Sequence, residues 1–351
     1  MNQKQGAMVG ERGDVWPIGA LVPYGLTPPL HVVPLAAGAG INNQVRVVRT
    51  GAGQFLWKHL THADPAHILA EHGLLGWLAG ADLPFGTPQP LATAAGATLL
   101  PAPGGGRYAL FRWLPGEPLA RRDPATIAAL GAALGLLHGA LAALPADLCP
   151  AWTTHGALAA IHPRVPDPAM LTPHDLGLPD AAPQRDALAR WRTIVAELGP
   201  FLTGTYPTLP RQAIHGDFGP GNALAGGTRI TAILDFEFAL DDARALDLAA
   251  GLEMIVRREE LSLPEALALG GALCAGYART ARLLPAELAA LPQLILLREI
   301  VGAIWWLGRA LVAGDPTPWF ARLENVLLFR AWFGTYERPL LAAIASAIAQ
   351  G

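Results

Sequence analysis

Short apolar runs in the first third of the chain alternate with Gly-rich turns and polar positions. Their length and their content of Val, Phe and Trp predict antiparallel strands. The predicted strands cover residues 30–35, 44–49, 54–60 and 108–113. Asp64-Pro65 supplies an N-cap and a first-turn proline, which predicts a helix from there to residue 78. We therefore expect a small sheet with one helix in this part of the chain.

The pattern changes after residues 114–118, whose sequence is Leu-Pro-Gly-Glu-Pro. Ala- and Leu-rich segments beyond them predict long helices, at 124–144, 184–198, 247–258, 264–282 and 286–313. The fold class is therefore α+β with two lobes. The predicted divisions are a turn-rich N-terminal extension at 1–28, a small antiparallel-sheet N-lobe at 29–113, a hinge at 114–118, and a larger helical C-lobe at 119–351 with a Pro-rich surface insertion at 145–183 and a loop-and-strand segment at 213–238.

Composition narrows the class of protein. Hydrophobic residues make up 52% of the 351 positions and charged residues 15%, against about 25% in an average soluble domain, which excludes a disordered chain. The net charge of −3 provides no basic field, so we expect no nucleic-acid partner. Cys149 and Cys274 lie far apart and lack metal-ligand spacing, which favours a reducing compartment.

One uncharged stretch, residues 125–144, is long enough to span a bilayer. It contains His138 and begins with Asp123-Pro124, as soluble helices do, so we expect a buried helix. The first seventeen residues carry four charges and no apolar run, which predicts that a secretory signal is absent. We therefore expect a cytoplasmic protein without a membrane partner.

Three oxygen-bearing side chains follow one another in the loop-and-strand segment. Asp217, Asn222 and Asp235 carry the hard oxygen donors that Mg²⁺ prefers, and Asp235 ends an apolar strand. Taken singly, His215-Gly-Asp217 could be a hydrogen-bonded turn and Asp235 a helix cap. Their joint occurrence favours a site that binds a metal and phosphate.

A second pair lies upstream. Ile68, Glu71, Leu75 and Leu78 share one helix face, so Glu71 interrupts an apolar stripe and needs a cation. Lys58, one of only two lysines in the chain, stands at the end of the preceding strand. We expect these two to pair, with an exposed surface ion pair as the alternative.

Together these residues resemble the protein-kinase-like small-molecule kinases, a family that includes aminoglycoside phosphotransferases, choline kinases and homoserine kinases. The resemblance covers residues 36–310 and depends on His-Gly-Asp at 215–217, Asn222 five residues later and Asp235-Phe236 thirteen beyond that. A protein kinase would have His-Arg-Asp, Asp-Phe-Gly and Ala-Pro-Glu. Since these are absent, a protein substrate is disfavoured.

The resemblance implies a protein-kinase-like fold and a role for each residue. Asp217 would orient the acceptor hydroxyl and accept its proton, Asn222 and Asp235 would hold Mg²⁺, and Lys58, fixed by Glu71, would bind the phosphates of ATP, with GTP as the alternative. His215 would be structural, and Asp247 would support the catalytic loop unless it is a plain N-cap. Asn42 and Asn43 lie in the turn that would cover the phosphates, for which a simple hairpin turn is the alternative.

The acceptor is predicted less closely. Glu237 and Asp241 could bind an amine, and Trp305 and Trp306 could stack on a cation unless they only pack in the core. We expect an amino-alcohol, an amino acid such as homoserine, or an aminoglycoside-like sugar. An inactive kinase-like binding protein and a metal-dependent hydrolase stay open as alternatives, and the sequence leaves the oligomeric state open.

Overall fold

The computed structural model describes residues 8–9, 15–35, 44–61, 64–103, 105–256 and 261–350. The chain divides into two compact units: Met1–Asp82 with Gly86–Pro115, and Leu83–Phe85 with Gly116–Gly351. The first is built around antiparallel strands and the second is largely helical. The predicted α+β fold with a small sheet lobe and a larger helical lobe is therefore confirmed. The boundary at Pro115 falls within residues 114–118, whose role as a hinge stays a prediction.

The described residues of the first unit form a five-stranded antiparallel sheet, a separate two-stranded pair and one α-helix. The strands of the sheet lie in the order Leu30–Pro34, Gln44–Thr50, Gly53–Leu60, Arg107–Arg112 and Leu100–Pro101. The elements are β1 (Met8–Val9), β2 (Val15–Trp16), β3 (Leu30–Pro34), β4 (Gln44–Thr50), β5 (Gly53–Leu60), α1 (Pro65–Ala79), β6 (Leu100–Pro101) and β7 (Arg107–Arg112). The four predicted strands correspond to β3, β4, β5 and β7. Asp64 caps α1 as expected, because its side chain accepts a hydrogen bond from the Ala66 amide at 3.1 Å.

The core of this unit includes part of the N-terminal segment. Trp16 packs edge-on against Trp57 with ring centroids 4.8 Å apart, and Tyr108 lies beside both rings. Leu21, in a 3-10 helix at Ile18–Tyr24, is fully buried in the same cluster. Residues 16 and 21 thus belong to the sheet core rather than to an extension. The sequence concealed this because two isolated apolar residues in a turn-rich segment show no periodicity.

Among its described residues the second unit contains six long helices and two small sheets. One sheet has the strand order Arg229–Ile233, Ala223–Gly226 and Glu117–Pro118, and the other pairs Leu240–Ala243 with Arg211–Ile214. The elements are β8 (Glu117–Pro118), α2 (Pro124–Leu141), α3 (Ala182–Pro200), β9 (Arg211–Ile214), β10 (Ala223–Gly226), β11 (Arg229–Ile233), β12 (Leu240–Ala243), α4 (Ala245–Val256), α5 (Leu263–Ala278), α6 (Pro285–Ala313) and α7 (Thr317–Gln350). Five helices were predicted, within a few residues at each end. Helix α7 was missed, because Gly334 and Pro339 interrupt its pattern.

Helices α2 and α5 cross at very short range. A Cβ at Gly131 would lie 1.9 Å from the carbonyl oxygen of Leu273, and one at Gly276 would lie 1.9 Å from that of Ala128. The apolar α2 is therefore a core helix. Among the described residues α2 and α6 have the length and hydropathy of a membrane span, but 56% and 67% of these segments are buried inside the protein.

The predicted surface insertion at 145–183 is partly internal. Val165 and Leu176 are almost completely buried, and short 3-10 turns replace long helices in this segment. The prolines that predicted a loop are compatible with these turns, which still bring apolar side chains inward. The expectation of a purely surface position was wrong for these residues.

Candidate active site

The loop between β9 and β10 carries the His-Gly-Asp motif. It is closed by a backbone hydrogen bond in which the Leu234 amide donates to the carbonyl of Asn222 at 2.8 Å. This bond joins the end of the loop to the residue that precedes Asp235. The fold therefore brings together three of the sequence-predicted residues: Asp217, Asn222 and Asp235.

A fully buried carboxylate supports this loop from α4. Asp247 accepts hydrogen bonds from the backbone amides of His215, at 2.7 Å, and Gly216, at 2.8 Å. His138 of α2 donates from Nε2 to the same carboxylate at 3.1 Å, and its Nδ1 lies 3.1 Å from the Tyr277 hydroxyl. Burial alone would raise the pKa of Asp247, but these hydrogen bonds and the nearby imidazoles hold that pKa below its usual value. Asp247 thus bonds the loop rather than only capping its own helix.

Gly216 occupies a backbone position that other residues cannot take. Its φ of +81° lies in the left-handed region, and a Cβ there would stand 2.0 Å from the carbonyl oxygen of Phe238. The arginine of protein kinases would not fit at this point. The glycine in the motif is therefore a packing requirement.

His215 ties the loop to the strand that follows it. Its Nε2 lies 2.7 Å from the carbonyl oxygen of Leu234, and its Nδ1 accepts a hydrogen bond from the Asp217 amide at 3.2 Å. These two partners assign the neutral tautomer that carries its proton on Nε2. Both ring nitrogens of His215 make hydrogen bonds to the backbone, which supports the structural role that the resemblance implied.

The side chain of Asp217 is held at both oxygens. The Nδ2 of Asn222 donates to Oδ2 of Asp217 at 3.1 Å and to the Asp217 carbonyl at 2.8 Å, which leaves Oδ1 of Asn222 for another partner. The Nη2 of Arg298, on α6, contacts Oδ1 of Asp217. Sequence reasoning missed Arg298, since nothing in the local pattern connects positions 81 residues apart.

Asp235 is the one described non-glycine residue with a positive φ, +57°. Aspartate tolerates this conformation better than most residues, and such strained positions concentrate at functional sites. The carboxylate is exposed, while Phe236 next to it is completely buried and its ring lies 4.5 Å from that of His215. The buried phenylalanine thus anchors a turn that presents Asp235 to solvent.

Oδ1 of Asn222 and the Asp235 carboxylate form a hard oxygen donor set. No group of three or more His, Cys, Asp or Glu side chains that could hold a metal occurs among the described residues. One carboxylate and one amide fit Mg²⁺, which keeps several waters and shares phosphate oxygens with a substrate. They do not fit a structural metal, which would need a complete protein ligand set.

The first unit presents a cation at the centre of its sheet. Lys58 pairs in register with Val45 and with Ala109, and its Nζ lies 5.3 Å from the centroid of the Phe111 ring. Glu71 is buried, on the same α1 face as its apolar neighbours, as the spacing predicted. Asn42 and Asn43 lie outside the described residues.

The pKa of His72, the residue next to Glu71, is affected by the charge of Lys58. Burial and the positive charge of Lys58 lower the pKa of His72 to about 4. The Nδ1 of His72 lies 2.8 Å from the Thr98 hydroxyl. The positive charge of Lys58 therefore acts on His72, the residue that follows Glu71 on α1.

Two of the four predicted acceptor residues share an aromatic cluster. Trp152 donates its indole N–H to the backbone carbonyl of Glu237 at 2.8 Å. Its ring lies 6.0 Å from Phe238 and 5.8 Å from Trp305. His162 packs edge-on against Trp305 as well. Trp152 was not predicted, because it lies in the Pro-rich segment, far from the motif in sequence.

The other two lie among different neighbours. Asp241 is exposed on β12, where it pairs with Arg211 at 3.4 Å. The guanidinium groups of Arg309 and Arg322 lie 5.2 and 5.3 Å from the ring centroid of Trp306. The structure therefore does not group Trp306 with Trp305, since consecutive helical residues point about 100° apart.

The carboxylate beside Asp241 has a structural network of its own. Asp242 is completely buried and accepts hydrogen bonds from the His155 amide at 2.8 Å, the Thr154 hydroxyl at 3.0 Å and the Tyr206 hydroxyl, and from Arg211 at 3.1 Å. Burial would raise its pKa, but its hydrogen bonds, chiefly with His155, lower that pKa to about 2. This carboxylate fastens residues 154–155 to β12.

Known proteins resemble the chain at two levels, a family model and the fold. The model of the phosphotransferase enzyme family, APH, matches residues 33–283. None of the curated proteins compared with the chain matches it. Among solved structures, a microcompartment-associated aminopropanol kinase is 18% identical with a TM-score of 0.66, and the match covers 93% of this chain and 97% of that one.

Two further structures resemble the chain to a similar degree. Amicoumacin kinase hAmiN, in complex with AMP-PNP, Ca²⁺ and Ami, is 18% identical with a TM-score of 0.65, over 89% of this chain and 91% of that one. An aminoglycoside phosphotransferase from Alicyclobacillus acidocaldarius is 18% identical with a TM-score of 0.61, over 98% and 100%. At these identities the likeness is one of fold.

Proposed function

The chain belongs to the phosphotransferase enzyme family, and we propose that it transfers the γ-phosphoryl group of ATP to a hydroxyl group of a small molecule. The family and the enzyme class predicted from the motifs are confirmed by this membership. The nucleotide, the metal and the acceptor are our proposals. They are supported by the loop that Asp247 fixes and by the residues of that loop.

The observation that carries the proposal is the placement of Asp217. Its carboxylate is partly exposed, at 24%, and lies on a loop whose backbone is bonded to a buried aspartate. In the proposed step the acceptor hydroxyl donates its proton to Asp217. The hydroxyl oxygen forms a bond to the γ-phosphorus as the bond to the bridging oxygen breaks, and ADP leaves. Phosphoryl transfer needs such positioning more than covalent help.

Asn222 and Asp235 would hold Mg²⁺ through Oδ1 and the exposed carboxylate. The ion, when bound, neutralises the charge of the β- and γ-phosphates. Asn222 bonds Asp217 through Nδ2, so its Oδ1 is the atom that we assign to the metal. We therefore assign metal binding and proton acceptance to different residues that share one hydrogen bond.

Lys58 would bind the α- and β-phosphates, with Glu71 as its positioning partner. This rests on the placement of Lys58 in the middle of the sheet and on its effect on His72, next to Glu71. The amicoumacin kinase that resembles this chain was solved with AMP-PNP, an adenine nucleotide analogue, which favours ATP over GTP.

The acceptor we favour is a hydroxylated amine. The backbone of Glu237 and the rings of Trp152, Phe238 and Trp305 lie together immediately after the metal-binding Asp235. A group of aromatic rings suits a cation, which the face of each ring attracts. The structural relatives act on acceptors named as aminopropanol and amicoumacin.

Cys149 and Cys274 are both free thiols, in keeping with a cytoplasmic location.

The test measures ADP formation with Mg-ATP and a panel of acceptors: ethanolamine, 1-amino-2-propanol, homoserine and kanamycin, with water as the baseline. We expect ADP in equal amount to a phosphorylated acceptor, identified by ³¹P NMR. ATP binding without turnover on any acceptor would favour the inactive binding protein. Phosphate release from phosphate esters without nucleotide would favour the hydrolase.

Two variants then separate base from metal ligand. Asp217→Asn should lower kcat by about 10²–10⁴ and leave nucleotide Kd nearly unchanged, since a base acts on the chemical step. Asp235→Asn should abolish the gain in nucleotide affinity that Mg²⁺ confers, measured by calorimetry. Asp180→Asn, at an exposed ion pair with Arg185, is the matched control. Near-normal turnover by Asp217→Asn would overturn the mechanism.

A further inference from the structure

Arg298 contacts the carboxylate that the proposed reaction uses as its base. We propose that Arg298 is a positioning residue that fixes the Asp217 carboxylate for phosphoryl transfer. This inference rests on the proposed function, because it gives Arg298 no role apart from Asp217. The contact joins α6 to the loop between β9 and β10 and involves Nη2 of the guanidinium and Oδ1 of the carboxylate.

The two oxygens of Asp217 are held by different elements. Arg298 holds Oδ1 from α6, and Asn222 holds Oδ2 from within the loop. A carboxylate oxygen accepts more than one hydrogen bond, so an acceptor hydroxyl can still donate to Asp217. With only the Asn222 contact, the side chain could rotate about its χ angles. The arginine therefore restricts the carboxylate to one orientation.

Arg298 is itself held in an acidic environment. Its side chain is 18% exposed, and two buried glutamates, Glu253 of α4 and Glu299 of α6, add their charges to that of Asp217. Burial lowers the pKa of the guanidinium, but Asp217 and the two glutamates raise it by more, so the group stays charged. A permanent cation thus lies against the proposed base.

The guanidinium bonds the base at the expense of its own hydrogen bonding. The Nε–H of Arg298 is buried and has no acceptor in the part of the chain that the structure describes. An unpaired buried donor is unfavourable, so the position of Arg298 against Asp217 leaves one donor of its guanidinium unsatisfied. Such a local cost is typical of residues placed for function.

Helix α6 does not depend on Arg298 for its position. Near its start, Arg244 donates from Nε to Glu287 at 2.7 Å, and further along the Trp319 indole donates to the Ala303 carbonyl at 2.8 Å. Leu297 and Ile300, on either side of Arg298, are completely buried. Removing the guanidinium should therefore leave the helix in place and affect mainly Asp217.

The experiment compares Arg298→Lys and Arg298→Ala with Arg330→Ala. The control removes a partly exposed arginine that is bonded to Glu197 on another helix at 2.9 Å. We measure kcat for ATP with the best acceptor of the panel and with water, nucleotide Kd, and melting temperature. We expect Arg298→Ala to lose about 10- to 100-fold in kcat, as misplacement of a reacting group does, with nucleotide Kd within about twofold. Arg298→Lys keeps the charge but not the planar fork, so its kcat should lie between those values.

Two additional measurements distinguish positioning from folding. Guanidinium ion added to Arg298→Ala should restore part of kcat, and it should have no such effect on wild type or Arg330→Ala. In an Asp217→Asn background, Arg298→Ala should cost less than about twofold more, because both act through one carboxylate. Additive losses, an unchanged kcat in Arg298→Ala, or a lowered melting temperature with unchanged kcat would each overturn the inference. Full activity of Asp217→Asn would instead contradict the proposed function, whatever Arg298 does.

Discussion

Gly216 donates its backbone N–H to Oδ1 of Asp247 at 2.8 Å, across 31 residues of sequence. A second amide, that of His215, donates to the other oxygen of the same carboxylate. One buried side chain on α4 therefore fixes the backbone that presents Asp217. A change at Asp247 should therefore affect both the stability of the fold and the position of Asp217.

Asp247→Asn should lower stability and activity together. The amide offers one acceptor oxygen where the carboxylate offers two, so a buried N–H of the loop would face the NH₂ group. Breaking such a buried charged network costs about 3–5 kcal/mol. Urea unfolding followed by tryptophan fluorescence measures the loss. Asp180→Asn, at an exposed ion pair, should change the free energy of unfolding by less than about 1 kcal/mol. Equal unfolding curves for the two variants would contradict this.

Gly216→Ala should lower the stability of the fold much more than Gly227→Ala does. Both glycines have positive φ, +81° and +63°, so alanine is strained at either position. Only at Gly216 does the new Cβ meet a backbone oxygen, at 2.0 Å, since nothing lies within 4 Å at Gly227. We expect the free energy of unfolding to fall by about 1–2 kcal/mol in Gly227→Ala. In Gly216→Ala it should fall by more than twice that amount. Similar melting temperatures for the two variants would show that the loop yields to the side chain.

Lys58→Met should weaken nucleotide binding about tenfold or more, because a charge-assisted contact is worth about 1.5–3 kcal/mol. Glu71→Gln should reproduce part of the loss by releasing the lysine. Arg46→Met is the control, since it removes a cation of the same sheet whose guanidinium lies over Trp16. Calorimetric titration with Mg-ATP measures the three affinities. Wild-type affinity in Lys58→Met would remove the lysine from the nucleotide site.

Mild acid should destabilise the protein through His72. Its pKa is lowered to about 4 in the folded chain, so the unfolded chain binds a proton first as the pH falls below the ordinary value of about 6.5. The stabilisation is thus complete above pH 6.5 and is lost as the pH falls towards 4, by about 3 kcal/mol in total. Urea unfolding at several pH values should show this slope, and His72→Gln should reduce it. A slope unchanged by that substitution would assign it to other groups.

Locally encoded features could be predicted from the sequence. Asp64-Pro65 and Asp123-Pro124 begin helices because cap and first-turn proline act within a few residues. The motif residues 215–222 could likewise be identified, since their spacing is part of their chemistry. Glu71 was expected to face inward from helical periodicity alone, and it does.

Partners that lie far apart in sequence could not be predicted. His138 bonds Asp247 across 109 residues, and Arg298 reaches Asp217 across 81. No local pattern encodes such pairs, because they depend on how helices pack. Trp152 was missed for the same reason, since its partner carbonyl lies 85 residues away. The motif residues of the candidate site could therefore be identified from the sequence, and their distant bonding partners could not.

The hydrogen bond between the His155 amide and Asp242 couples the unfolding of the Pro-rich segment to that of β12. The His155 N–H donates to a side chain and not to a backbone carbonyl of a helix or sheet. Its protection from solvent therefore depends on Asp242, which is completely buried on β12. Its exchange with deuterium should occur only in openings that also free residues of β12. Residues around 155, irregular in form, should thus exchange as slowly as the strand they adjoin. The Pro-rich segment would then unfold in one cooperative event with the β9-β12 sheet, from which the His-Gly-Asp loop extends.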